Sequence, residues 1–546
     1  MVTIILNKNK LLNKLGIDGN LLENILFNLK SEMKMLDENN LEIEINADRL
    51  DLLSSDGISR AVKGLLEREL GEAKYKVVDT DFKLIIHNVR SRPYALAAVV
   101  YNANIDLQEL IQFQEKLHST IGRKRKKVAI GIHDLNKIDT KIIEYKEIPT
   151  TYKFIPLNGN REMTIDEVIY QTEQGKLYGK LSIFDNLSPS IIQSDGQVLS
   201  IPPIINSEKS KIDERTKNFF IDVTGTSFDA VAQTLDLLVT NLAESGGTIG
   251  KVKIEYENKR VSNVDYSPLL VHKTISVNKN YIYNTLGIDK DKEKDICKHI
   301  MRMRMDCEEY SANIKVIVPP YRIDIINSID IVEDVAMSIG YNNLIPSKYL
   351  ISNYGNYDYI TLLERRIREL SIGANFIEIF NFVLIKESKL FDKKYIKILN
   401  PISEEYNAVR NSLIPVLLDF LSKNQHAKFP VRVFEIGDVV IKDDTTDTGY
   451  RNDKRVTYAI MDSRVSYEDI QAPIHYILSS MGITPNYIET NSDIFIEGRV
   501  ANVLYKNQAI GILGEIKPEI LLKFDIEYPI VMAELYVTKI MELIRV

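Results

Sequence analysis

Two short stretches hold side chains whose spacing could do chemistry. The first reads Arg322-Ile-Asp324-Ile-Ile-Asn-Ser328-Ile-Asp330-Ile-Val-Glu333-Asp334. Asp330, Glu333 and Asp334 stand at i, i+3 and i+4, so a helix with Ser328 as its N-cap puts them on one face and Ile331, Val332, Val335 and Ile339 on the other. Asp324 lies just upstream and could fold back to the same face. Four converging carboxylates repel one another unless a hard cation holds them, and oxygen-only ligation suits Mg²⁺. The alternative is that acids in a first turn simply complement the helix dipole, which on spacing alone is the commoner role.

The second stretch is Phe220-Ile-Asp222-Val-Thr224-Gly-Thr226. On a strand Asp222 and Thr224 share a side, and Thr226 follows in the turn. Upstream, the proline-stiffened segment 198–207 carries Ser200 and Asn206. Hydroxyl, amide and carboxylate groups beside apolar walls suit recognition of a small polar group such as a phenol hydroxyl, and the positioning of a water. Asp222 and the threonines are equally open to reading as turn and cap residues. His133 is a lone histidine, a type more often structural than catalytic. Arg123-Lys124-Arg125-Lys126-Lys127 is the densest basic run, either a solvated loop or a set of phosphate contacts.

The elements that must position these groups fall into four regions. Residues 1–85 hold a small α/β unit with the alternating strand Leu41-Glu-Ile43-Glu-Ile45. Residues 86–260 mix short strands with a helix marked by Val231, Leu235, Leu238 and Leu242, a layered α/β pattern. Residues 270–346 run strand, helix, strand, helix. Residues 347–546 combine a charged helix with many alternating strands, an antiparallel sheet with flanking helices. The fold class expected is multidomain, α+β and α/β.

Composition narrows the chemistry further. The 546 residues carry 69 basic and 76 acidic side chains, a formal charge of −7, which argues mildly against nucleic acid. Hydrophobic content of 45% fits packed domains. No phosphate loop, G-x-G-x-x-G, H-E-x-x-H, C-x-x-C or G-x-S-x-G occurs. Two cysteines, Cys297 and Cys307, make no disulfide framework or zinc site by themselves. No apolar run approaches the roughly 20 residues of a bilayer span, and no signal peptide opens the chain, so a cytoplasmic location is expected.

Taken in order, several blocks resemble the β subunit of phenylalanine–tRNA ligase in its archaeal and eukaryotic form. They are Asp48-Arg49-Leu-Asp51-Leu52-Leu53, residues 125–137 (RKKVAIGIHDLNK), 199–206 (LSIPPIIN), 220–226 (FIDVTGT), 329–341, 400–410 (NPISEEYNAVR) and 433–438 (VFEIGD). The resemblance implies a heterotetramer of two α and two β subunits, a class II synthetase whose α subunit attaches phenylalanine to tRNA with ATP. It implies that 86–260 is an editing, tRNA-binding module that hydrolyses mischarged tyrosyl-tRNA, with Asp222, Thr224 and Thr226 in the reaction and Ser200, Asn206 and His133 binding substrate. It implies a Mg²⁺ shared with the α subunit on Asp324, Asp330, Glu333 and Asp334, and an inactive, synthetase-like interface module at 347–546. Leu50 departs from the proline more often found between the arginine and Asp51. The alternative function is a free-standing aminoacyl-tRNA deacylase or an RNA-binding scaffold.

Overall fold

The computed structural model describes residues 2–290, 295–346 and 353–544, which divide into two compact units at about residue 349. In the first unit, strands Val2–Asn7, Asn40–Ile45 and Glu32–Met35 form an antiparallel sheet. Leu41, Ile43 and Ile45 are buried on one side, as their alternation requires. Asn7 and Asp18 cap the two helices Lys8–Leu15 and Gly19–Asn28, each accepting from the backbone N–H three residues on.

The centre of this unit is a mixed ten-stranded sheet. Val77–Ile86, which straddles the border expected at residue 85, is one of its interior strands, parallel to both Thr248–Tyr256 and Ile142–Pro149. The order continues through Tyr94–Tyr101 and Phe219–Gly225 to Val128–Asp134 at one end, and through Leu187–Gln193 and Val198–Ile201 to Ile205–Asn206 at the other. Helix Phe228–Glu244 packs on Tyr94–Tyr101 and Phe219–Gly225, with Val231, Leu235, Leu238 and Leu242 buried as their spacing predicts.

Residues 273–339 differ from the expected strand, helix, strand, helix. Between the first helix, Lys279–Leu286, and strand Asn313–Val318 come a second helix, Ile296–Arg302, and a polar strand, Asp306–Tyr310. The helix is short, and the strand's Asp-Cys-Glu-Glu-Tyr lacks apolar alternation because most of it is exposed at a sheet edge. Cys297 and Cys307 form a disulfide that ties the two together. The last helix, Ser328–Ile339, has Asn327 rather than Ser328 as its N-cap, and Asp330 folds back to accept from the N–H groups of Ile326 and Asn327, both at 2.7 Å.

These segments meet in a buried ionic cluster. Arg49 grips Asp51 through two hydrogen bonds of 2.8 and 2.9 Å within the turn Leu50–Leu52, so leucine at position 50 leaves that geometry intact. Arg60, on helix Ser55–Leu65, lies 3.8 Å from Asp51 and 3.7 Å from Glu244, with its guanidinium 3.9 Å from the centre of the Tyr321 ring.

In the second unit a seven-stranded sheet runs Ile377–Glu378, Val431–Lys442, Tyr450–Met461, Ile530–Tyr536, Gln508–Ile516, Phe495–Tyr505, Asn486–Glu489. Every pair but the first is antiparallel. Arg410 of NPISEEYNAVR and Glu435 of VFEIGD meet inside it at 2.6 Å. Among the described residues no helix is long and apolar enough to cross a membrane.

Asp236 joins helix Phe228–Glu244 to the segment leading out of the large sheet: its Oδ2 accepts from the Leu270 N–H at 3.1 Å, and Oδ1 is buried without a partner. Burial pushes its carboxyl up to about 7, against the backbone hydrogen bonds. A raised folded pKa means the stabilisation is complete below about pH 4 and is lost as pH rises through 7. Asp236→Asn, which keeps an acceptor for Leu270, is expected to melt above the parent at pH 8 and level with it near pH 4. Thermal melts across that range check this, and an unchanged gap between parent and variant rules it out.

Candidate active site

The two ends of the ten-stranded path come together around a cavity of about 530 Å³. Ala129–Ile132 of one end strand and residues 200–206 of the other line it, and helix Leu107–Ser119 closes a third side with Leu107, Ile111, Gln114, Glu115 and His118, one helical face. The closure is hydrogen-bonded. Asn206 Nδ2 donates to the Ile132 carbonyl at 3.3 Å, and Arg125 Nη1 donates to the carbonyls of Pro203 and Ile204 at 3.2 and 3.0 Å.

Strand Val128–Asp134 would otherwise present an open edge. Helix side chains satisfy it: the Ile130 N–H donates to His118 Nε2 at 2.9 Å, and Gln114 Nε2 donates to the Ile130 carbonyl at 2.8 Å. With Nε2 accepting, His118 carries its proton on Nδ1, which donates to Glu115 at 3.0 Å. Burial holds the His118 pKa below its ordinary value. Glu115, despite partial burial, is pulled down to about 2 by His118 and Arg125.

Asp222 lines the cavity and is buried. Its Oδ2 accepts from His133 Nε2 at 2.8 Å, and His133 Nδ1 lies 2.8 Å from Ser210 Oγ. Because a carboxylate can only accept, Nε2 bears the proton, and the Ser210 hydroxyl donates to Nδ1 when the ring is neutral. Ser200 also lines the cavity, and its buried Oγ has no hydrogen-bond partner.

The structure thus brings Asp222, Ser200 and Asn206 to one cavity. His133 is not in its wall but is the buried support of Asp222. Thr224 and Thr226 are also outside the wall. Thr224 is buried, with Arg92 donating to its carbonyl at 2.9 Å and to its hydroxyl at 3.4 Å, and Thr226 is exposed in the turn, its N–H bonded to the Lys127 carbonyl.

Buried Arg92 also donates to the carbonyls of Arg125 and Lys126 at 3.1 and 3.4 Å. It thereby ties the basic turn to the end of the Asp222 strand. In that turn Arg123, Lys124 and Arg125 have φ of 48°, 54° and 63°. Three successive left-handed side-chain-bearing residues cost about 1 kcal/mol or more each.

Sequence reasoning missed Gln114, Glu115, His118, Arg92, Ser210 and Gly131. The helix residues Gln114, Glu115 and His118 share a face with Leu107 and Ile111 in a largely polar helix, so their spacing alone did not set them apart. Gly131 carried no signal either: a Cβ there would lie 2.1 Å from Asp222 Oδ2 and 2.8 Å from His133 Nε2, so only glycine lets the carboxylate and imidazole meet.

The expected metal residues are each engaged by the chain itself. Arg322 binds Asp324 and Asp334, both at 2.7 Å, Asp330 serves the helix start through Oδ2, and Glu333 pairs with Lys30 at 3.1 Å. Among the described residues no three His, Cys, Asp or Glu side chains are gathered as a metal site. Asp330 is half-buried and Glu333 exposed, so these two carboxylates fit a hydrated ion completed from elsewhere better than a four-carboxylate cage.

Comparison with known proteins places this geometry. Family models match as the phenylalanyl tRNA synthetase beta chain CLM domain over 345–537, the tRNA synthetase B5 domain over 275–341 and the B3/4 domain over 83–241. The phenylalanine–tRNA ligase beta subunit of Saccharolobus solfataricus is 70% identical over 540 residues, 99% of each chain. The chain belongs to the phenylalanine–tRNA ligase β-subunit family. The beta subunit from Sulfurisphaera tokodaii is 54% identical over the full length of both. A solved N-terminal fragment of the phenylalanyl-tRNA synthetase beta-subunit from Pyrococcus horikoshii matches at 33% identity and a TM-score of 0.59, over 62% of this chain and all of that one. The cavity residues from Ala129 to Asp222 lie within the B3/4 match.

Gly131→Ala is expected to drive Asp222 away from His133 and to destabilise the first unit by about 1–3 kcal/mol. Chemical denaturation measures the loss, and a variant as stable as the parent overturns the close-approach argument.

Proposed function

We propose that this chain is the β subunit of a heteromeric ligase whose α subunit carries the ATP-dependent attachment of phenylalanine to tRNA, and that the cavity beside Asp222 hydrolyses tyrosine wrongly joined to the same tRNA. The observation that carries the hydrolytic reading is Asp222, fixed by His133 on the cavity wall, beside a Ser200 hydroxyl without a partner.

The order of the three groups argues for water as the nucleophile. A nucleophilic serine needs its base within hydrogen-bond reach, but Ser200 Oγ has none, and Ser210, which does touch His133, is buried and outside the cavity wall. Asp222 is the group presented to substrate. It and Ser200 are placed to accept from or donate to a phenol hydroxyl and a water. The water oxygen attacks the ester carbonyl carbon, the bond to the ribose oxygen breaks, and that oxygen leaves with a proton. Phenylalanine lacks the hydroxyl and would leave these buried groups unpaired, a mismatch that such sites reject by roughly 10⁴-fold. Thr224 contributes as a positioning residue through Arg92.

The partner reading draws on the family name and on the second unit's surface. Ile377, Phe380, Phe382, Leu399 and Ile402 are exposed large apolar side chains, and Phe382 packs edge-on against Tyr406 at 6.0 Å, bringing 377–384 and 399–406 onto one surface. Such a surface marks a protein contact. It disfavours a free-standing deacylase or scaffold. Asp330 and Glu333, with Asp324 and Asp334 behind them, would hold a magnesium ion shared with the α subunit. That ion would screen the carboxylates and take no part in the hydrolysis.

Asp222→Ala is expected to lower tyrosyl-tRNA hydrolysis at least 100-fold while the complex still forms phenylalanyl-tRNA. Retained hydrolysis in the variant removes Asp222 from the reaction. For the ion, titration of Mg²⁺ into the assembled complex is expected to show binding that Asp330→Asn with Glu333→Gln abolishes. Equal heats in parent and double variant reject the site.

A further inference from the structure

The basic run 123–127 is adjacent to the cavity yet takes no part in the reaction described above. Within it, Arg125 faces inward: it lines the cavity, pairs with Glu115 at 2.7 Å and stacks over the Tyr178 ring at 4.7 Å. Arg123, Lys124 and Lys126 are exposed, and among the described residues none of them has an ion-pair partner. On a chain with net charge −7, three unpaired cations at the edge of one cavity are a local reversal of sign.

The turn is also built rather than loose. Arg92 binds its carbonyls from inside, the Lys127 N–H closes onto the Gly122 carbonyl at 2.8 Å, and the Arg125 N–H onto the His118 carbonyl at 3.2 Å. Three left-handed residues in succession persist because these bonds over-determine them. The arrangement commits the turn's main chain inward while its cationic side chains stay in solvent. A solvated loop of lysines needs none of this.

We propose that residues 122–127 form a phosphate-binding rim that takes the single-stranded 3′ end of the RNA whose terminal ester enters the cavity. The inference rests on the hydrolytic reading for its ligand. Point charges on flexible stems suit a backbone whose phosphates pass at varied distances, and they read no sequence. Arg125 then marks the step from rim to cavity, with its guanidinium already fixed by Pro203, Ile204 and Glu115.

The test uses the full-length chain and a fluorescent RNA hairpin with or without a four-nucleotide 3′ overhang, titrated at several salt concentrations. The parent is expected to prefer the overhang. The neutral triple variant R123Q/K124Q/K126Q is expected to bind the overhang hairpin about tenfold more weakly and to flatten its log–log salt slope by roughly two, about 0.7 for each lost contact on a single strand. The charge-keeping triple R123K/K124R/K126R is expected to bind like the parent. Parental affinity and slope in the neutral variant overturn the rim. So does equal loss in the charge-keeping variant, which would make the residues structural. Tyrosyl-tRNA hydrolysis measured in parallel separates the two ideas: a parent without hydrolysis, but with an overhang preference that the neutral triple loses, sinks the hydrolytic reading and supports the rim.

Discussion

The first unit depends on guanidinium groups kept in contact with carboxylates away from water. Arg49, Arg60 and Arg322 are all nearly inaccessible, and so are Asp51 and Asp334. Each charge would be prohibitive alone; together they are tolerable because opposite charges lie within reach and Arg49 and Arg322 grip carboxylates bidentately, Arg322 also donating to the Met303 carbonyl, while Arg49 Nη1 and Arg60 Nη2 are left without a hydrogen-bond partner. Removing one partner from such a pair typically costs about 3–5 kcal/mol. The members come from the turn after the N-terminal sheet, from helix Ser55–Leu65 that follows it, and from residues 322–334 at the start of the last helix of the 275–341 segment. One cluster therefore fixes three stretches of chain at once, and apolar packing alone would not specify their registry so narrowly.

The cavity follows from a second constraint, that an edge strand must not stay open. Strand Val128–Asp134 is closed by Gln114, His118 and Asn206, and the same closure creates the space that Asp222 faces. Site and fold are thus one set of hydrogen bonds. The carboxylate is aimed by His133, the imidazole by Ser210, and both have room only because Gly131 stands opposite Asp222 in the paired strand.

Much of this was legible in the chain before its structure. Alternation in 41–45 and 219–225 identified strands, the 3.6-residue spacing from Val231 to Leu242 identified the helix, and Asp222, Ser200 and Asn206 were picked out as polar groups in apolar surroundings. What escaped is what depends on non-local pairing. Thr224 shares a strand face with Asp222, yet Arg92 from 132 residues upstream claims it. The four acids of 324–334 read as a cage because the groups that engage them, Arg322 on Asp324 and Asp334, Lys30 on Glu333 and the helix-start N–H groups on Asp330, cannot be weighed without distances. The strand Asp306–Tyr310 lacks the pattern of a half-buried element because it lies at an edge.

The parallel placement of Val77–Ile86 between Ile142–Pro149 and Thr248–Tyr256 has a consequence for biosynthesis. The middle strand is made early, but one of its two neighbours is completed only some 170 residues later. Until then its N–H and C=O groups and apolar face on that side have no native cover, and contacts this distant in sequence form slowly. On a ribosome the large sheet therefore cannot close before residue 256 has emerged. The N-terminal sheet, by contrast, pairs residues 2–45 among themselves and is free to form first. The order of synthesis therefore allows the small sheet to be complete while the large one still lacks a strand.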